Sequence, residues 1–348
     1  MHEMKLSCWL RSMFLVFIAF SFSFGQSLKA QSADSQKDPL SFSNNWGSRG
    51  FFIPNIVATN IAREGLCLPD PFSSQLFLKR CFPRAKFYHI PDIKSGGVLW
   101  RSSNYAINQN KHPLSDDKHA FPLPEGNYTT VYNVFRFKDN YGVSWLIVVL
   151  ESKEVMPLQE LECCIPDGAD MSLALFRKTD TGWVLTNFTM AAGNYGRWHK
   201  LDGVDLVKFG PDNYGVVVSQ HWRSPGGPSG GIEHYYGLVN GQFKNILNVD
   251  DVYYWESACC DWTGATSVRK ADKKFNDIDF VIRSEYHRVG TQSDMPSFLD
   301  SNVILPLGMK QYVTANTDSV KYKFVTKYTF NGYRYIQKQN LIRILYAK

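Results

Sequence analysis

The stretch that decides the fold is Thr129-Thr-Val-Tyr-Asn-Val-Phe-Arg-Phe137, followed by Lys138-Asp-Asn-Tyr-Gly142 and then by Val143-Ser-Trp-Leu-Ile-Val-Val-Leu150. The two outer segments are rich in the β-branched and aromatic residues that favour strands. The middle segment supplies Asn and Gly, which accept the positive φ that tight turns require. Together the three segments predict a β-hairpin.

The same pattern recurs 73 residues later, where a second Asp-Asn-Tyr-Gly ends at Gly215. Val204-Asp-Leu-Val-Lys-Phe209 precedes this turn and Val216-Val-Val-Ser-Gln-His-Trp222 follows it. We therefore predict two equivalent hairpins. Further turns of this kind are Asp180-Thr-Gly182, Asn240-Gly241 and Asn331-Gly332.

Turn residues at intervals, with no long amphipathic helix between them, predict an all-β main domain over residues 126–348. Its antiparallel hairpins and meanders would form an irregular β-propeller-like fold or a large β-sandwich. Another strand is predicted at Phe275–Ile282. Residues 51–125 contain many prolines and predict an irregular segment that wraps over the main domain, with at most a short helix near Ile56–Glu64.

The amino terminus predicts export. Lys5 and Arg11 precede the apolar run Met13–Phe24, and small and polar residues follow it. This is the layout of a signal peptide, here residues 1–30, with cleavage after Ala30 or after Gly25. The apolar run is shorter than the roughly twenty residues that span a bilayer, so we expect no membrane anchor after cleavage. Residues 31–50 are polar and predict a flexible leader, and the mature protein would be periplasmic or extracellular.

Charge and composition exclude some classes of partner. The net charge of +6 falls to +4 without residues 1–30, because Lys5, Arg11 and Lys29 leave together with Glu3. The remaining basic residues are spread along the chain, so we expect no nucleic-acid partner. A hydrophobic content of 44%, with 15% aromatic residues, is enough for a substantial core.

Six cysteines remain after cleavage, and an even number in an exported chain predicts disulfides. Cys67 and Cys81 are expected to join within the Pro-rich segment. The adjacent pairs Cys163-Cys164 and Cys259-Cys260 are expected to meet across the fold. A structural zinc site is one alternative, although zinc ligands are normally two to four residues apart, and free buried thiols are the other.

Two motifs could indicate catalysis. Gly227-Pro-Ser-Gly-Gly231 matches the G-x-S-x-G motif around a nucleophilic serine, but that motif needs a helix after Ser229, and the residues that follow it predict a strand. His199, His221 and His234 could converge on a metal, although their spacing matches no metal motif. We therefore predict no catalytic residue, no metal site and no cofactor.

The residues around 194–236 predict a binding surface, because Trp, Tyr and Arg dominate the binding energy of many protein interfaces. The alternative is that about half of these aromatic residues belong to the core. The predicted site comprises Tyr195, Arg197, Trp198, His199, His221, Trp222, Arg223, His234 and Tyr235.

These observations favour an exported, non-enzymatic binding protein. Its partner would be another protein, which it would recognise as an inhibitor or as an immunity-type partner of a toxin or hydrolase. The first alternative is a secreted hydrolase that uses Ser229 or a histidine-centred metal site. The second alternative is a carbohydrate-binding or cell-envelope module.

Overall fold

Antiparallel strands form most of the described chain in this computed structural model. The structure describes residues 53–54, 56, 61–62, 65–88, 96–102, 109–111, 118–122, 126–155, 168–196, 200–223, 229–256, 260–269, 273–287 and 319–347. The predicted signal peptide and flexible leader lie outside these residues. Within them, no helix is long and apolar enough to cross a bilayer.

In chain order the elements are β1 (Cys67–Leu68), α1 (Ser74–Cys81), β2 (Lys86–Tyr88), β3 (Gly97–Trp100), β4 (Gln109–Lys111), β5 (Lys118–Ala120), β6 (Asn127–Lys138), β7 (Ser144–Glu154), β8 (Ala169–Thr179), β9 (Gly182–Tyr195), β10 (Gly203–Gly210), β11 (Asn213–Arg223), β12 (Ser229–Val239), β13 (Gln242–Glu256), β14 (Cys260–Val268), β15 (Ile278–His287), β16 (Ser319–Phe330) and β17 (Tyr335–Ala347).

Two large antiparallel sheets contain fifteen of these strands. Sheet 1 has the order β1-β9-β8-β7-β6-β3-β2, and sheet 2 is a continuous meander from β10 to β17. Strands β4 and β5 pair with each other in a separate small sheet. The predicted all-β class with hairpins and meanders is confirmed. Each predicted turn joins two paired strands, and both residues of Asn240-Gly241 have positive φ, as a two-residue hairpin turn requires.

Sheet 1 is covered on both faces, which explains the unbroken apolar run of β7. Leu146, Val148 and Leu150 point to one face, where they pack against the Pro-rich amino-terminal section. Ile147 and Val149 point to the other face, where they pack against β10–β13 of sheet 2. A strand buried on both faces reads as a continuous apolar segment rather than an alternating one. The face-to-face packing of two sheets corresponds to the sandwich form of the prediction.

The amino-terminal section covers sheet 1 with a helix that the sequence analysis did not predict. Helix α1 begins after Ser73, whose hydroxyl accepts a hydrogen bond from Leu76 N at 3.3 Å. Its buried side chains include Phe77 and Leu78, and the Phe77 ring lies edge-on to Phe176 of β8, with 5.4 Å between the ring centroids. The helix fits between Pro71 and Pro83, which prevent it from extending in either direction.

Sheet 2 curls so that its first and last strands share a second, aromatic core. Phe209 of β10 packs against Tyr335 of β17 and against Phe275, with ring centroids 6.2 Å and 5.9 Å away. Phe330 of β16 stacks on Phe275 at 3.8 Å. The Tyr335 hydroxyl donates a hydrogen bond to Asn276 O at 2.7 Å. The segment that leads into β15 therefore ties the two edges of the curled sheet together.

Cys67 and Cys81 are not bonded to each other in the structure, in contrast to the expected disulfide. Cys81 is the last residue of α1, and its thiol lies in the core cluster that contains Phe77 and Trp100. Burial raises the pKa of this thiol well above its usual value. Cys67 lies in β1 at the edge of sheet 1, opposite Val184, and its Sγ donates to Gly65 O at 3.4 Å. Helix formation thus turns Cys81 inward, which spacing alone could not show.

Of the adjacent cysteine pairs, only the backbone of Cys260 falls within the described residues, where it begins β14 opposite Glu256 and Tyr286. Cys163, Cys164 and Cys259 lie outside the described part of the chain. The bond between the two pairs stays a prediction.

A substitution that disturbs the packing of α1 on sheet 1 should cause a large loss of stability. Phe176→Ala should lower the free energy of unfolding by about 3–5 kcal/mol, because it removes a fully buried ring and leaves a cavity. Gln75→Ala, at an exposed position of α1, should stay within about 0.5 kcal/mol of the parent. Urea denaturation followed by tryptophan fluorescence measures both. Equal effects of the two changes would contradict the described packing.

The state of Cys81 can be tested by alkylation without a reducing agent. Iodoacetamide should leave Cys81 unmodified in the native protein, because its side chain is buried, and should modify it in urea. Peptide mapping by mass spectrometry gives the readout. If Cys81 resisted alkylation in urea until a reductant was added, it would be disulfide-bonded and the structural assignment would be wrong.

Candidate functional site

Three of the predicted binding residues lie in the interior rather than on a surface. Tyr195, His234 and Tyr235 are each no more than 2% exposed. Tyr195 ends β9 of sheet 1, and its ring lies against the His234 ring of β12, with 4.6 Å between the centroids. These residues therefore belong to the interface between the sheets and to the core, which corrects their predicted role in a binding surface.

A buried polar network fixes this interface. The hydroxyls of Tyr195 and Tyr236 are hydrogen-bonded to each other, and Tyr236 also donates to Ala192 O at 2.8 Å. The two ring nitrogens of His234 lie 2.9 Å from Asn248 Oδ1 and 3.2 Å from Gln220 Oε1. Buried polar groups must find such partners, so the network aligns β9 with β11, β12 and β13.

Tyr235 points to the opposite face of β12. Its hydroxyl contacts both the Glu233 carboxylate and the Thr266 hydroxyl of β14. Thr266 also donates to Glu233 Oε2 at 3.2 Å. Burial first, and then the Glu233 carboxylate, raise the pKa of Tyr235, which keeps its hydroxyl protonated as a donor. This group ties β12 to β14 on the curled face of sheet 2.

The buried Tyr195 hydroxyl should make the protein less stable at alkaline pH. Burial raises the pKa of Tyr195 to about 12. A tyrosine in the unfolded chain has a pKa of about 10. Its contribution to stability is therefore complete below pH 10 and is lost as pH rises toward 12, since the unfolded state releases the proton first.

For one such group the free energy of unfolding should fall by about 1 kcal/mol between pH 9 and pH 11. The Tyr195→Phe variant should lack this decrease in the free energy of unfolding. The Tyr141→Phe variant, which changes an exposed tyrosine, should show the same pH dependence as the parent. Urea denaturation at several pH values is the measurement. Parallel curves for the parent and Tyr195→Phe would disprove the assignment.

The remaining predicted residues fall into three groups, of which His221 alone forms the last. Arg197, Trp198 and His199 lie outside the described residues. Trp222 and Arg223 end β11, where their backbones pair with Gly230 and Ser229, and their side chains are outside the description.

His221 is half exposed, and its backbone N–H donates to Asp202 Oδ2 at 2.9 Å. The register places Val218 opposite His234, so His221, three residues further along β11, points to the other face of sheet 2. His221 and His234 therefore do not converge. Among the described residues, no group of His, Cys, Asp or Glu is arranged to hold a metal ion.

Ser229 is the first residue of β12, and the chain continues as a strand to Val239. A nucleophile elbow needs a helix after the serine, whose amino-terminal N–H groups help to hold an oxyanion. The strand that the sequence predicts after Ser229 is confirmed, so this serine lies at the start of a strand rather than at a strand-to-helix turn.

The clearest exposed feature is a contiguous surface made by the tight turns at one end of both sheets. We define this turn surface as residues 138–142, 208–212, 240–244, 273–277 and 331–335. The two Asp-Asn-Tyr-Gly turns are direct neighbours within it. Asn140 N donates to Asp212 Oδ1 at 2.8 Å, and the Tyr214 hydroxyl, which adjoins the surface, donates to Lys138 O at 3.2 Å. Tyr214 also stacks on Phe137 at 4.3 Å.

Further contacts join the other turns into the same surface. Asn276 N donates to Phe209 O at 2.7 Å, which places residues 273–277 against the end of β10. Lys244 Nζ lies 5.2 Å from the centre of the Tyr333 ring, and this contact connects the turns at 240–244 and 331–335. Asn187 of β9 donates to Gly241 O at 2.7 Å. The turn surface is therefore a single structural unit built from both sheets.

Two tyrosines project from this surface. Tyr141 is 83% exposed and Tyr333 is 61% exposed. Each follows an Asp or Asn by two residues, and that residue fixes the turn. Asp139 Oδ1 accepts hydrogen bonds from Tyr141 N and Val143 N, both at 2.9 Å, and Asn331 Oδ1 accepts from Tyr333 N at 3.0 Å and Arg334 N at 2.9 Å. Both rings are thus carried by turns with a fixed backbone.

The turn surface also carries a net positive charge, with six basic and three acidic residues. Each carboxylate is engaged in the turns. Asp139 Oδ2 accepts from Trp145 Nε1 at 2.9 Å, Asp212 accepts from Asn140 N, and Asp277 lies 3.3 Å from Lys273. The hydrogen bond from Trp145 is the main reason why the pKa of Asp139 is lowered, so this carboxylate stays ionised.

Five cations remain on the turn surface without a carboxylate within salt-bridge distance among the described residues: Lys138, Lys208, Lys244, Lys274 and Arg334. Lys208 lies over the Tyr214 ring, with Nζ 5.1 Å from its centre. Two of these cations, Lys208 and Lys244, therefore lie over tyrosine rings at this end of the molecule.

Comparisons with protein-family models, with curated proteins and with solved structures gave no match for this chain. The sequence predicts the turns of this surface, but Tyr141 and Tyr333 are not among the predicted binding residues. The sequence held a partial signal, since Tyr141 and Tyr333 each stand two residues after an Asp or Asn within a predicted turn, but Tyr214 shares this position and packs on Phe137.

Proposed function

We propose that this chain is an exported binding protein that recognises another protein, as an inhibitor or an immunity-type partner of a toxin or hydrolase does. The observation that carries this proposal is the presentation of Tyr141 and Tyr333 on two fixed turns of one surface. Export follows from the predicted signal peptide.

Tyrosine suits this role because its ring offers a large contact area, its hydroxyl can form hydrogen bonds, and only two χ angles must be ordered on binding. A fixed turn further lowers the entropic cost of binding, because its backbone is already ordered before the partner binds. Tyr141 and Tyr333 would then act as anchors, surrounded by polar and charged residues that complete the contact.

The proposal is tested with the mature chain used as bait for the exported proteins of its source. A captured protein would be purified, and its affinity measured by calorimetry. Tyr141→Ser and Tyr333→Ser should each weaken binding about fivefold or more, as expected for residues that anchor an interface. Tyr132→Ser is the matched control, because Tyr132 is 36% exposed on β6 outside the turn surface, and it should leave the affinity unchanged.

Other outcomes would redirect or overturn the proposal. Weakening by Trp198→Ala and Trp222→Ala alone would assign binding to the predicted 194–236 region. Hydrolysis of an ester or peptide substrate that disappears in Ser229→Ala would contradict the binding role and favour the hydrolase alternative.

A further inference from the structure

The geometry points to an acidic polypeptide segment as the ligand of the turn surface. We infer that Lys138 and Lys208 engage Asp and Glu side chains of the partner, while the Tyr141 ring packs against the same segment. This inference rests on the proposed function and adds the chemistry of the partner to it.

The acidic and basic residues of the turn surface differ in how far their charges are compensated. The three carboxylates of the turn surface are held by hydrogen bonds or an ion pair within it, so their charges are partly compensated by donors of the protein. Lys138 and Lys208 are exposed, and no described carboxylate lies within salt-bridge distance of either. The surface therefore attracts anions, and it would slow or reject a basic partner.

The two lysines lie on a pair of turns that Tyr214 connects. The Lys138 carbonyl accepts from the Tyr214 hydroxyl, and the Lys208 ammonium lies over the Tyr214 ring. Tyr214 thus holds both residues at the junction of the two sheets. Tyr141 is three residues after Lys138 and lies on the same junction, because its neighbour Asn140 is bonded to Asp212. Lys138 and Tyr141 are therefore carried by one turn, and Lys208 by the neighbouring turn that contacts it.

Turns from both sheets contribute to this surface, so its two exposed lysines stand on separate turns. An extended acidic segment on the partner's surface suits this arrangement, because its carboxylates can reach two separate ammonium groups. Aromatic rings between cations add contact area that purely electrostatic binding lacks.

The test uses the mature full chain with poly-L-glutamate as the probe, and binding is followed by fluorescence anisotropy at low and at physiological salt. The parent should bind the probe at low salt and lose most of the binding as salt rises, because exposed charges are screened. The double variant Lys138→Glu/Lys208→Glu should bind at least tenfold more weakly, and Tyr141→Ser should weaken binding about threefold.

The matched control is Lys79→Glu/Lys86→Glu, which changes the net charge by the same amount. Both residues are exposed on the amino-terminal section, and each lies over an aromatic ring, Phe87 at 5.0 Å and Tyr88 at 5.4 Å. This control should bind the probe like the parent. Equal loss in the two double variants would show that only net charge matters and would overturn the inference.

Two further probes separate polypeptide from other anions. Polygalacturonate supplies carboxylates on a polysaccharide, and vesicles with phosphatidylglycerol supply phosphates on a lipid surface. Tighter binding of either probe than of poly-L-glutamate would overturn the inference. If a captured protein lost affinity with Tyr141→Ser and Tyr333→Ser but not with Lys138→Glu/Lys208→Glu, the proposed function would stand and the acidic-ligand inference would fail.

Discussion

The constraint on which the rest of the structure depends is the burial of sheet 1 on both faces. The β7 segment from Leu146 to Leu150 is apolar at every position, so neither face of this strand can be left to water. One cover comes from the amino-terminal section with α1, and the other comes from β10–β13. Removing either cover would expose a continuous apolar sheet, which explains why the Pro-rich section is integral to the fold rather than a tail.

The second cover is aligned by polar groups rather than by apolar packing alone. Apolar side chains at the sheet interface would tolerate a shift of one sheet along the other. The hydrogen bond between Tyr195 and Tyr236 and those of His234 to Asn248 and Gln220 form together in only one alignment of the strands. At the other end of the interface, the Asn140–Asp212 contact fixes the two Asp-Asn-Tyr-Gly turns against each other. The repeated turn in the sequence is thus a pair of touching turns in the structure.

The sequence predicted what depends on local chemistry and did not predict what depends on tertiary contacts. Turns such as Asn240-Gly241 follow from the φ preferences of their residues, and the strands beside them follow from β-branched and aromatic composition. Helix α1 was missed because its eight residues lie between prolines and gain their stability from packing on Phe176. The Cys67–Cys81 bond was expected from spacing, yet the helix directs Cys81 into the core.

The binding residues show the same division. Composition around 194–236 could not distinguish an aromatic residue in a core from one on a surface, and three of its members, Tyr195, His234 and Tyr235, proved to be buried. Burial was decided by partners remote in sequence, such as Tyr195 for His234.

Tyr141 and Tyr333 differ in that their environment is local. Each sits in a turn that an Asp or Asn two residues earlier fixes by accepting the tyrosine N–H, and its ring is exposed. The same four residues give a different result at Tyr214, which lies in β11 opposite Lys208. There Asp212 accepts from Asn140 N of the other turn, and the Tyr214 ring packs on Phe137 while its hydroxyl donates to Lys138 O. The turn motif alone therefore does not determine whether its tyrosine is exposed. A tyrosine that a neighbouring turn covers packs against the protein, and one that no turn covers is free to contact a partner.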